Sequence, residues 1–282
     1  MNLIALSLSL FGFVFTFATI VLYFRTIPRG TVPKSVTGLT ARLVLGVSSS
    51  VMGIFLGATG VGSASLAVYL PAGFSIAFGS LILFFLSQRK IPLGDLKVKV
   101  GDKIQPFTST TSAGQHFSSD EFHGRRVLLK FYRGGWCPYC VAELAAFNKM
   151  APNLERFNIS VYALSKDTPQ EANVHKIRDG LDVTLLSDPQ LEVIRSYGAE
   201  HHKTLGQTKN PTSTLGGVAL GFAPIKFEAM AIPTTLLIDE NGIIRWIDQS
   251  DDIRVRSSVD RIMGTIRSEF KDDNITNLQE TV

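Results

Sequence analysis

The chain has 282 residues, 45% of them hydrophobic, with 28 Lys/Arg, 24 Asp/Glu and two cysteines. Residues 1–105 carry a net charge of +7, which leaves −3 for the remainder. The basic character therefore belongs to the apolar N-terminal part, and the soluble remainder lacks the clustered base that nucleic-acid binding requires.

Residues 1–24 hold no charged side chain, and neither do 43–88. "LIALSLSLFGFVFTFATIVLYF", 3–24, reaches about 33 Å as a helix, enough for a hydrocarbon core of about 30 Å. It reads as a span rather than a cleaved signal peptide, because no Lys or Arg precedes it, it is too long, and more apolar segments follow. The second uncharged stretch breaks at "GATGVGSAS", 57–65. The expectation is a membrane domain over 1–90 with spans at about 3–24, 43–61 and 65–86, with two spans and a re-entrant piece as the fallback. Arg25, Arg29, Lys34 and Arg42 flank the first connection, and Arg89, Lys90, Lys97, Lys99 and Lys103 follow the third span. None lies in 57–65, so the basic flanks orient the soluble domain toward the cytoplasm. The spans contain no acid, base or histidine, which favours anchoring in lipid over transport.

A linker over 91–105 leads to an α/β domain over 106–282. "RVLLKFYR", 126–133, predicts a strand, and "CPYCVAELAAFNKMAPNLERF" a helix. "ISVYALS" and "VTLLSDP" predict further strands; "PQEANVHKIRDG", closed by Gly180, and "QLEVIRSYG" predict helices. "TTLLIDENGIIRWID", 234–248, has the pattern of a hairpin turning at Glu240, Asn241 and Gly242. Strands separated by helices predict a mostly parallel sheet covered on both faces. Residues 200–230 read as an insertion, either a loop beside the site or a surface loop.

Both cysteines fall in "GGWCPYC". Cys137 lies at a predicted helix N-terminus, where unpaired N–H groups and the helix dipole favour a thiolate. Cys140 is on the same helical face, within reach of a mixed disulfide at Cys137. Pro138 suits the first turn, and Trp136 is placed to shield the pair. A disulfide closing so short a loop adds little stability, which points to chemistry rather than architecture. Two thiols also make half a zinc site, which His201 and His202 could complete. Arg133 either favours a thiolate or is solvated, and Glu143 reads as a solvent-facing helix residue.

Residues 100–267 resemble the alkyl hydroperoxide reductase/thiol-specific antioxidant family, the peroxiredoxin-like or redoxin branch of the thioredoxin-like fold. The matching stretches are "GDKIQPF" at 101, "FHGRRVLLKFYRGGWCPYC" at 122, "LSDPQLEVIRSYGA" at 186 and "AIPTTLLIDENGIIRWI" at 231, with "DIRVRSSVDRIMGTI" as a closing helix. The resemblance implies a central mixed sheet covered by helices, preceded here by about three transmembrane helices. It implies that Pro233 is a cis-proline facing the dithiol, with Thr234 beside it, and that no bound cofactor is needed. Peroxide-reducing members carry Pro-x-x-x-Thr-x-x-Cys and an Arg across the site. Aligning their Cys on Cys140 puts Arg133 at the Pro, Cys137 at the Thr and Pro233 at the Arg. The buried acid of thioredoxins has no evident counterpart, and Lys130 lies nearby instead. The expected function is a membrane-anchored thiol–disulfide oxidoreductase in which Cys137 attacks, Cys140 resolves and Pro233 positions the substrate. The alternatives are a peroxiredoxin-like thiol peroxidase and a non-catalytic redox sensor or metal-binding module. Its partners would be a protein or small-molecule disulfide or peroxide and a thiol electron donor.

Overall fold

A computed structural model describes residues 2–59, 65–207, 213–215, 218–220 and 225–270. The chain divides into two units, Met1–Arg89 and Lys90–Val282.

The first unit holds three helices, α1 (Leu3–Phe24), α2 (Thr37–Thr59) and α3 (Leu66–Ser87), each long and apolar enough to cross a membrane. Helix α2 begins six residues before the expected position 43. Hydropathy marks where a helix turns apolar, and Thr37–Arg42 is helical yet polar. Of the expected break at 57–65, residues 60–64 lie outside the described residues. The helices pack through small residues: a Cβ on Gly46 would fall 2.2 Å from Thr16 Oγ1, so only glycine permits that approach. Hydroxyls tie the trio together. Thr16 Oγ1 and Ser75 Oγ share a hydrogen bond of 2.9 Å, Ser75 Oγ donates to Gly12 O at 3.1 Å, and Ser49 Oγ donates to Leu8 O at 3.0 Å. Phe11, Phe17, Phe55, Phe74 and Phe78 are exposed outside this contact, as suits a lipid solvent.

The second unit is built on a seven-stranded sheet. Its strands are β1 (Thr108–Thr111), β2 (His116–Ser118), β3 (Arg126–Phe131), β4 (Ile159–Ser165), β5 (Thr184–Ser187), β10 (Thr234–Ile238) and β11 (Ile244–Gln249). The order across the sheet is β11-β10-β3-β4-β5-β1-β2. Only β3–β4 and β4–β5 are parallel, which corrects the expectation of a mostly parallel sheet to a mixed one. The antiparallel pairs β10–β11 and β1–β2 are joined by short connections that need no helical crossover. Strand β1 is polar and half exposed and the three-residue β2 carries one apolar residue, buried Phe117, so neither is long enough in apolar alternation to stand out in the sequence.

Among the described residues, the helices α4 (Pro138–Glu155), α5 (Pro169–Asp179), α6 (Glu192–Ser196) and α7 (Val259–Glu269) cover the sheet. Thr168 caps α5 in a box with Glu171, and Gly180 ends it with φ of +58°. The period-two alternation of β3 divides the core. Val127, Leu129 and Phe131 pack with Phe117, Tyr197 and Leu236 on one face. Leu128 packs with Leu144, Phe147, Ile262 and Ile266 from α4 and α7 on the other. That alternation sends Lys130 to the α4 face, where it is buried.

The 200–230 insertion contains two paired strands, β6 (Glu200–Gln207) and β9 (Ile225–Ala231), separate from the main sheet. Between them lies a hairpin of β7 (Ser213–Leu215) and β8 (Val218–Leu220), with β8 near α4. The other residues of the insertion, 208–212, 216–217 and 221–224, lie outside the described residues.

Candidate active site: a buried dithiol

Strand β3 ends at Phe131, and residues 132–136 carry the chain to α4, with Cys137 at the helix N-cap in an extended conformation. Cys140 N and Val141 N both donate to Cys137 O at 3.0 Å, and Pro138 opens the helix. The loop is fixed from behind: Gly135 N donates to Asp167 Oδ2 at 2.8 Å, and Arg178 Nη2 donates to Gly135 O at 2.9 Å. Gly134 has φ of +139°, and a Cβ there would sit 2.7 Å from Asp167 Oδ1 and from Trp136 Nε1. The turn that aims the thiols therefore requires glycine.

Both sulfurs are fully buried. Burial by itself raises a thiol pKa. At Cys137 it is outweighed by a hydrogen bond from the Cys140 thiol and by the charges of Arg133 and Arg256, which bring the pKa down to about 5. Cys140 shifts the other way: burial, the hydrogen bond it gives to Cys137 and the Cys137 charge hold it well above the ordinary thiol range. The two shifts run in opposite directions, so ionisation is favoured at Cys137 over Cys140.

A charged network lies under Cys140. Arg256 Nη2 donates to Cys140 Sγ at 3.3 Å, and Arg256 Nε donates to Glu143 Oε2 at 2.7 Å. Lys130 Nζ donates to Glu143 Oε1 at 2.8 Å and to Thr235 Oγ1 at 3.1 Å. Glu143 is thus buried between two cations, not solvent-facing as its isolated reading predicts. Its place three residues beyond Cys140, on the thiol's own helical face, is the signal that marks it. It is a buried carboxylate near Cys140, in the region where the sequence reading places Lys130 alone. Arg256 carries no local signal, since it lies 116 positions from Cys140.

Arg133 is buried rather than solvated, with its guanidinium 4.8 Å from the centre of the Trp136 ring. Its Nε donates to Met230 Sδ at 3.3 Å, and its Nη2 donates to Thr204 Oγ1 at 3.3 Å and to Leu205 O. Trp136 packs half-buried against the core beside the cysteines.

Pro233 and Thr234 stand at the same end of the sheet as the dithiol loop, with Thr234 paired to Phe131. The described residues contain no cis peptide, so Ile232–Pro233 is trans. Ile232 N donates to Ala199 O at 2.7 Å and Ser250 N donates to Pro233 O at 3.1 Å; trans is the isomer that X-Pro bonds ordinarily favour. The Thr234 hydroxyl donates to Ile232 O at 2.9 Å and accepts from Gln249 Nε2 at 3.1 Å. His201 and His202 lie on β6, away from any three-ligand cluster: among the described residues no group of three His, Cys, Asp or Glu could hold a metal.

Comparison with known proteins places this arrangement in a family. The putative peroxiredoxin bcp of Coxiella burnetii (strain RSA 493 / Nine Mile phase I) is 30% identical over 149 residues, 53% of this chain and 87% of that protein. Peroxiredoxin Bcp of Escherichia coli (strain K12) is 27% identical over 112 residues, 39% of this chain and 72% of that protein. Among solved structures, peroxidoxin BcpB from Mycobacterium tuberculosis aligns at 21% identity with a TM-score of 0.48, covering 61% of this chain and 97% of that one. The family model described as AhpC/TSA family matches residues 100–247, which include the dithiol, Glu143 and Pro233 and stop short of Arg256. The chain belongs to the AhpC/TSA family, with a thioredoxin-like fold.

Proposed function

We propose that the chain is a membrane-anchored, thiol-dependent peroxidase that works through a Cys137–Cys140 dithiol. The observation that carries this reading is the buried Cys137 thiol beside Cys140, with Arg133 and Arg256 placed where their charges lower its pKa. The Cys137 sulfur attacks the terminal oxygen of a hydroperoxide, the O–O bond breaks, and the alcohol leaves with a proton from water. Cys140 then condenses with the Cys137 sulfenic acid, and water and a disulfide form. The dithiol loses two electrons to the peroxide, and an external thiol restores them by exchange. Arg256 stands where its charge eases the ionisation of Cys140 that this second step needs. Its guanidinium, bonded to Cys140 Sγ, brings a positive charge to the dithiol, whereas the family's Arg aligns with Pro233 here. Peroxiredoxins are what the relatives are named, and both features favour peroxide over the thiol–disulfide exchange that the C-x-x-C motif first implies. That exchange stays the second reading, because Cys137 occupies the position of the peroxidase Thr.

Reduced full-length protein is expected to consume hydrogen peroxide with loss of two thiols per peroxide. The rate should follow the Cys137 thiolate: half-maximal near pH 5, nearly flat above neutrality, and falling about tenfold per pH unit well below the midpoint. Stopped-flow rates across this range decide it. Rapid disulfide exchange with no thiol loss on peroxide would put the second reading first.

In this reading the redox unit faces the cytoplasm, on the evidence of Lys and Arg in 25–42 and 89–103 and none in 57–65. A reporter fused after Val282 should be active in the cytoplasm, and activity only on the exported side would reverse the orientation.

A further inference from the structure

Residues 90–104 are fixed to the second unit along their length. Ile91 N donates to Asp251 O at 2.9 Å, Gly94 N to Gln249 Oε1 at 3.0 Å, Lys97 N to Tyr197 O at 3.1 Å and Gly101 N to Ile244 O at 2.8 Å. A Cβ on Gly94 would lie 2.2 Å from Gly198 O, so the two backbones pass at a separation that only glycine allows. Ile91 and Val98 are buried beneath. The outward side chains are of another kind. Leu93 and Val100 are 58% and 57% exposed, and Lys97, Lys99 and Lys103 are exposed with them. Residues 89–103 hold five Lys/Arg against two acids, Asp95 and Asp102. Lys90 pairs with Asp251, and Asp102 Oδ2 accepts from the Lys99 backbone N–H at 3.0 Å. Among the described residues, the ammonium groups of Lys97, Lys99 and Lys103 meet no carboxylate. A rigid strip thus presents three unneutralised cations and two aliphatic side chains to its surroundings.

We propose that this strip docks on anionic phospholipid headgroups, with Lys97, Lys99 and Lys103 meeting the phosphates and Leu93 and Val100 entering the boundary between headgroups and acyl chains. The inference rests on the membrane-anchored reading. Two arguments select lipid as the occupant. The first is reach. Helix α3 ends at Ser87 and Ile91 is already bonded into the second unit, so four residues, about 14 Å at full extension, join a span to the strip. Headgroups at the end of α3 are therefore always close at hand. The second is composition. Lysines interspersed with exposed aliphatics suit a surface that is negative outside and apolar a few ångströms deeper. The lysine stem can lie in the apolar layer while its ammonium stays at phosphate depth. Because the backbone is held by the unit itself, docking orders little that is not ordered already.

The test uses full-length purified protein in bilayers of phosphatidylcholine, alone or with an equal part of phosphatidylglycerol. A water-soluble succinimidyl ester acetylates the lysines, and mass spectrometry times each one against Lys149, an exposed residue of α4. The ester takes the neutral amine, and a negative surface stabilises the ammonium by about 1 kcal/mol per lysine. Lys97, Lys99 and Lys103 should therefore each slow about fivefold relative to Lys149 in the anionic bilayer. At about 1 M salt the screening length falls to about 3 Å and most of the difference should vanish. Leu93→Ser/Val100→Ser keeps every charge and should lose at least about half of the slowing. Unchanged slowing in that variant overturns the part given to Leu93 and Val100. Equal rates in the two bilayers overturn the docking and leave the strip to a protein partner. Slowing of Lys149 as large as that of the strip overturns it as well. So does equal slowing by soluble glycerol phosphate added to phosphatidylcholine, which would make the strip a small-anion site. Release of the protein from the bilayer by alkaline carbonate would remove the membrane-anchored reading and the docking with it, whereas retention with equal rates removes the docking alone.

Discussion

The Cys137→Ser protein is expected to lose peroxide turnover by at least about 10³-fold, because in the proposed mechanism Cys137 is the nucleophile and a serine hydroxyl does not ionise in its place. The Cys140→Ser protein should behave differently. A serine hydroxyl can still donate to the Cys137 thiolate, and Arg133 and Arg256 still act on it, so the first oxidation persists. With no second thiol the cycle stops there. The expected result is one equivalent of peroxide consumed, Cys137 accumulating as sulfenic acid, and a trapped adduct when a small disulfide is supplied instead. The family alignment makes the opposite assignment, with the peroxide-attacking cysteine at Cys140. Mass spectrometry of the two variants after peroxide separates them: a sulfenic acid on Cys140 in the Cys137→Ser protein would transfer the nucleophile's role.

The local geometry of the dithiol loop was legible in the sequence. The thiols, the helix end and the strand that leads to it all lie within residues 126–140, where local pattern and local structure coincide. The partners that set the charges were not legible, for a physical reason. Lys130, Glu143 and Arg256 are polar residues whose neighbours come from three separate elements, and a polar residue at a single position reads as solvated until its cross-chain partner is known. Arg133 was ambiguous for the same reason, since Thr204 and Met230 reach it from about 70 and 97 positions away. The proline isomer was carried by resemblance alone, and in this chain Ile232–Pro233 is trans.

Removal of the Glu143 carboxylate should have the second large effect. Glu143→Ala leaves Lys130 and Arg256 buried beside each other without their shared partner. Breaking a buried ion pair by deleting one member costs about 3–5 kcal/mol. In a unit of this size that corresponds to a fall in melting temperature of roughly 10 °C. The reactivity of Cys140 should change with it. The Glu143 charge helps to hold that thiol above its ordinary pKa, while Arg256 pulls it down. Without the carboxylate, Cys140 ionises at lower pH and alkylates faster in mildly alkaline solution, which is measurable in the Cys137→Ser background. Glu143→Gln keeps the hydrogen-bond acceptor and should retain more stability while reproducing the shift in Cys140. If Glu143→Ala changes neither the melting point nor the alkylation profile, the network is not coupled to the thiols.

The cations around Cys137 also fix where the chain stands electrochemically. Whatever stabilises the ionised, reduced sulfur makes the disulfide the less favoured member of the couple, and the reduction potential moves in the oxidising direction. For a two-electron couple about 30 mV accompanies each 1.4 kcal/mol of such stabilisation. In the proposed cycle, a Cys137–Cys140 disulfide in this setting would accept electrons from an external thiol more readily than the same disulfide without these cations.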